Sequence, residues 1–123
     1  MQYYEDLLSL PFEINGRFGK TEGIDCYGLV LEMTRRAGKP LNDVVYPTEP
    51  VPLSDIGRYS DGLNLKEITE EEADCGDIIQ CEYEGNLHVA YMLSRSLVIH
   101  ATFNGVRISP LLYLKNKKYM RVY

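Results

Sequence analysis

No stretch of this chain approaches the length that a bilayer-spanning helix requires, and Met1 to Leu10 lacks both the basic start and the apolar core of a secretory signal. Those absences predict synthesis in the cytoplasm without a signal peptide, and no membrane partner. Basic clusters are scarce as well. Arg35 with Arg36 and Lys115 to Lys118 are too small for a counterion-releasing groove, and a formal net charge of -5 repels a phosphate backbone, so no nucleic acid is expected as a partner. There is no internal repeat and no low-complexity segment. The three cysteines, Cys26, Cys75 and Cys81, are odd in number and irregular in spacing, which argues against a disulfide framework and leaves at least one thiol free. Cys75, Cys81, His88 and His100 lack the short paired spacings of structural zinc sites, so no metal is expected.

What is present reads as one globular domain over residues 1–123, long enough to bury a core, with 45% hydrophobic and 25% charged residues, as an ordinary soluble protein has. Tyr3, Tyr4, Leu7, Leu8 and Leu10 predict a short opening helix that stops before Pro11. The three glycines between Asn15 and Gly23 mark a loop. From Cys26, apolar residues at Leu29, Val30, Met33 and Ala37 follow one helix face, with Asp25 as N-cap and Gly38-Lys39-Pro40 as the stop. Lys39 to Leu65 holds four prolines and predicts a long ordered loop, with a helical hint only at Leu53 to Tyr59. Beyond the acidic run Glu70 to Asp74, the segments Asp77 to Tyr83, Leu87 to Leu93, Leu97 to Thr102 and Val106 to Ser109 predict an antiparallel meander. Glu84-Gly85-Asn86, Ser94-Arg95-Ser96 and Asn104-Gly105 serve as turns. Tyr119 to Tyr123 offers a fifth strand, and the lysine cluster before it reads as a solvated turn.

A cysteine on the apolar side of a helix is in most proteins a buried small hydrophobe. Cys26 differs because it follows an N-cap, where unpaired amides and the helix dipole stabilise a thiolate and offer donors for an oxyanion. Gly28 in the first turn costs roughly 1 kcal/mol relative to alanine, which calls for a close approach by another backbone or by a substrate. The chain's two histidines lie on neighbouring predicted strands. Alternation puts His88 with Ala90 and Met92, and His100 with Val98 and Thr102. A tight loop centred on Ser94 sets His88 directly opposite His100, a base with its orienter. A slip of one residue would separate them onto opposite faces.

The stretch Gly23-Ile24-Asp25-Cys26-Tyr27-Gly28-Leu29-Val30 resembles the nucleophile motif of the NlpC family of papain-like cell-wall cysteine peptidases, usually Gly-Phe-Asp-Cys-Ser-Gly-Phe-Val. Gly76-Asp77-Ile78-Ile79 is similar to the family's Gly-Asp-Leu-Val strand opening. His88-Val89-Ala90-Tyr91-Met92 resembles its base motif, and Ile99-His100-Ala101 its third-residue motif. The resemblance implies an α+β, papain-like minimal fold with the cysteine helix packed on an antiparallel meander. It implies hydrolysis, without a cofactor, of the bond between D-glutamate and a diamino acid in peptidoglycan stem peptides. By position Cys26 is the nucleophile, His88 the base and acid, and His100 the residue that orients His88. Asp25 either recognises the free amino end of the stem peptide or only caps the helix. Phe12 and Tyr27 stand where family members usually carry tyrosine and serine near the substrate, and both are substrate-binding candidates. The opening Tyr3 to Leu8 and the aromatic Tyr27 are similar to phage or prophage tail-associated members, which implies tail proteins as partners and carriage in a virion to the cell wall. Two other uses of the scaffold stay open: an acyl transferase or thioesterase, and a non-catalytic tail or wall-binding component.

Overall fold

Proline sets the first boundary. Leu10, held extended before Pro11 with ψ at 134°, ends a 3₁₀ turn over Glu5–Ser9 that buries Leu7. The computed structural model describes residues 4–43 and 63–123. The helical hint at Leu53 to Tyr59, and most of the proline-rich loop, lie outside the described residues.

Helix α1 (Cys26–Arg36) begins where Asp25 leaves the extended region and accepts a 2.8 Å hydrogen bond from the Gly28 amide. Its inner face buries Leu29, Val30 and Met33, which contribute roughly 1.5–3 kcal/mol each. Gly28 answers the question raised by its position. A Cβ there would lie 2.2 Å from the Gly16 carbonyl oxygen, so it is the backbone of the preceding loop that presses on the helix start.

Among the described residues, six strands form one antiparallel sheet: β1 (Leu65–Ile68), β2 (Ile78–Tyr83), β3 (Asn86–Met92), β4 (Leu97–Thr102), β5 (Gly105–Pro110) and β6 (Lys115–Val122). Their order is β1-β6-β2-β3-β4-β5, so the expected meander is β2 to β5 and β6 returns to the side of β2. The fold is α+β, and among the described residues one α-helix packs on the antiparallel sheet. Strand β1, only four residues long, is not apparent in the sequence. The lysine cluster is a strand rather than a turn: Lys115 stands opposite Glu82, and Lys118 opposite Gln80. Alternation turns most of these side chains outward while Tyr119 faces in, which gives a pairing strand the composition of a turn.

Both faces of the sheet are covered. Ile78, Tyr91, Ile99, Ala101 and Val106 pack against α1. Ile79, Cys81, Ala90, Met92 and Val98 build a second cluster on the opposite face, with Leu114 and Tyr119. By alternation His88 and His100 belong to the second face, away from the helix that carries Cys26. Among the described residues no helix is long and apolar enough to cross a membrane.

Candidate active site

The sheet is incomplete where the helix begins. Strands β3 and β4 pair only at Tyr91↔Ile99 and Met92↔Val98. Beyond those rungs β3 keeps its β2 partners to Asn86, and β4 keeps its β5 partners to Thr102. The two strands therefore part just where each carries its histidine. The Val89 backbone hydrogen-bonds the Cys26 sulfur at this opening. The nucleophile candidate thus lies where the two strands part, within electrostatic reach of Cys81 on the other face.

The loop between β3 and β4 is longer than a tight turn on Ser94. The amides of Leu93 and Ser94 both donate to the Leu97 carbonyl, and the Arg95 guanidinium donates to the carbonyls of Glu71 and Ala73. The register is consequently displaced by two residues, and His88 is not directly opposite His100. An even displacement keeps both side chains on one face. The rings meet on the diagonal, with His88 Nε2 and His100 Nδ1 2.8 Å apart.

Three further side chains complete this face. His100 Nε2 lies 2.8 Å from Ser109 Oγ on β5. The Tyr83 ring stands 5.0 Å from the His88 ring and 5.2 Å from that of His100, covering both. Cys81 pairs with His88 across β2 and β3, in a register set by the two-residue turn Glu84-Gly85, where both residues have positive φ.

The remaining candidates sit around the helix start. Asp25, 2% exposed, accepts from the amides of Gly28 and Asn15 and from the Arg17 guanidinium, at 2.8, 2.7 and 3.1 Å. Tyr27 points into the core and donates its hydroxyl to the Asn42 carbonyl. Phe12 forms a short parallel bridge with Ile24, and its ring packs edge-on against Phe103 at 4.8 Å. His88 and His100 meet each other, and Asp25 adjoins Cys26, whose sulfur meets the backbone of Val89 next to His88, whereas Tyr27 is turned inward.

Residues 10–122 match the model of the NlpC/P60 family. The chain belongs to that family. Its members are generally cell-wall peptidases. Among solved structures, this NlpC/P60 chain is similar to a lipoprotein-like NLP/P60 protein from Staphylococcus aureus, with a TM-score of 0.60 and 23% identity. The match covers 95% of this chain and 38% of that one, so the present chain spans well under half the length of its structural relative. Among curated proteins, none shows significant sequence similarity to it.

The electrostatics of this NlpC/P60 site are dominated by burial, which is complete at His100 and partial at Cys26. Burial pushes the Cys26 thiol up to about 11, the Val89 backbone bond opposes it, and the neighbouring Asp25 carboxylate adds to the rise. Burial brings His88 down to about 3, with His100 adding to the effect, and brings His100 down to about 4. The helix start alone predicts a lowered thiol pKa, but desolvation outweighs it in the resting site. Thiol and imidazoles are neutral near pH 7. Cys81 is driven up to about 12, chiefly by burial and then by Cys26.

Neither Tyr83 nor Ser109 stands out in the sequence. Tyr83 sits at the end of a predicted strand on the same alternation as Ile79 and Cys81, which is its one signal. Ser109 reaches His100 only through the pairing of β4 with β5.

Proposed function

We propose that this NlpC/P60 protein is a cysteine endopeptidase acting on peptidoglycan stem peptides, at the bond between D-glutamate and the diamino acid. Cys26 is the nucleophile, His88 the base and then the acid, and His100 the residue that orients His88. The observation that carries this reading is the 2.8 Å bond between His88 Nε2 and His100 Nδ1, which leaves Nδ1 of His88 for the thiol.

With a neutral thiol at rest, the proton passes from Sγ to Nδ1 of His88 as sulfur attacks the scissile carbonyl. The amides of Cys26 and Tyr27, which open the first helical turn beside the sulfur, are the donors this reading assigns to the charge that develops on the carbonyl oxygen. His88 then returns the proton to the leaving amine, and water releases the acyl group by the reverse sequence. The bonds from Asn15, Arg17 and Gly28 to Asp25 support a positioning role, since the carboxylate ties the loop to the first helical turn beside the sulfur.

The test is mass spectrometry of fragments released from peptidoglycan of defined chemistry by wild type and by Cys26→Ala. Fragments ending in D-glutamate, with new amines on the diamino acid, are expected from wild type only. Intact stems after prolonged digestion with wild type, or equal release by Cys26→Ala, would remove the peptidase reading.

A further inference from the structure

His100 is fully buried, and each ring nitrogen has a partner at 2.8 Å: Nδ1 meets His88 Nε2, and Nε2 meets Ser109 Oγ. Ser109 stands opposite Val98, two residues along β4 from His100 and on the same face. A neutral imidazole carries one N–H and one lone pair, so these bonds cannot be oriented independently. If Ser109 accepts from Nε2–H of His100, then Nδ1 of His100 must accept, Nε2–H of His88 must donate, and Nδ1 of His88 keeps its lone pair. If Ser109 donates, every bond reverses. Nδ1 of His88 then carries a proton and cannot receive one from Cys26.

We infer that Ser109 accepts from His100, fixes the tautomer of both histidines, and so acts as a positioning residue for the base. This rests on the cysteine-peptidase reading above. Two points support the direction. Burial keeps both rings neutral at neutral pH, so the one-proton rule applies to each. On the cysteine-peptidase reading Nδ1 of His88 has to accept the thiol proton, which only the first of the two arrangements allows. Ser109 is only half-buried, so its own hydroxyl hydrogen can go to water.

The experiment is long-range proton–nitrogen correlation NMR on protein labelled with ¹⁵N-histidine at pH 7, for wild type, Ser109→Ala and Ser109→Thr. The chain has two histidines, so two sets of ring signals are read. Wild type is expected to show the Nε2–H form at both. Ser109→Ala should show a tautomer mixture at His100, with kcat down roughly tenfold and KM unchanged, below the roughly 10²- to 10⁴-fold that a whole positioned base supplies. Ser109→Thr should restore spectrum and rate. An Nδ1–H form at either ring of wild type overturns the inference, and so does a Ser109→Ala protein with unchanged spectrum and kcat. The wild-type spectrum decides even if the alanine variant fails to fold. It also needs no turnover: an inactive wild type with both Nε2–H forms refutes the peptidase reading alone, whereas an active one with Nδ1–H refutes only the role of Ser109.

Discussion

His88 and His100 are the same residue with different neighbours, and the neighbours predict different mutants. His88→Ala removes the proposed base and should lower kcat by about 10²- to 10⁴-fold. His100→Asn keeps an amide oxygen that can accept from His88 Nε2–H, and should retain at least a tenth of wild-type kcat. Steady-state kinetics on a defined stem peptide, with circular dichroism to confirm folding, compares the two. Equal loss in both variants would reverse or merge the roles. As candidates, Cys26, His88 and His100 stand out in the sequence because each lies in a short stretch with its own chemistry: a capped helix start, and two strands with one imidazole apiece. The competition between helix start and burial was not legible, because the Val89 backbone that meets the sulfur lies more than sixty residues downstream.

Among the elements, the junction of the glycine loop with α1 is the tightest. Gly28→Ala would gain roughly 1 kcal/mol of helix propensity, but its new methyl group would meet the Gly16 carbonyl at 2.2 Å. Backbone cannot swing aside as a side chain can, so overpacking of roughly 1–3 kcal/mol should outweigh that gain and displace the thiol as well. A lower urea midpoint together with reduced kcat is expected, and a variant as stable and active as wild type would contradict this packing. Gly28 was recognisable from sequence as a violation of helix propensity, although propensity could not say whether backbone or substrate filled the space. The β3–β4 register was fixed only to its parity. Alternation specifies which face a side chain takes, while loop length, here set by Arg95 reaching back to Glu71 and Ala73, specifies which residues are opposed. Strand β6 escaped for a related reason, since its lysines satisfy a strand's outward positions as well as a turn's.

For the molecule as a whole, two neutral buried histidines link stability to acidity. The unfolded chain takes up protons near the ordinary histidine value of 6.5, whereas the folded rings do so only near 3 and 4. Between those limits the unfolded state binds more protons, so stability is complete above about pH 6.5 and declines as pH falls. The decline is at most about 1.4 kcal/mol per pH unit for each ring. Urea midpoints between pH 7 and 5 should fall more steeply for wild type than for the His88→Gln/His100→Gln double variant, and parallel slopes would rule this linkage out. The parted strands have a consequence for isotope exchange. The Val89 amide lies past the last rung shared with β4, and its bond to the Cys26 sulfur replaces a strand partner there. Its deuterium uptake should be slow in wild type and many times faster in Cys26→Ala, while the amides of Tyr91 and Met92 on the same strand stay unchanged. Uniform uptake along β3 in both proteins would exclude that bond. One backbone hydrogen would then report, with no substrate present, whether the sulfur is seated in the sheet.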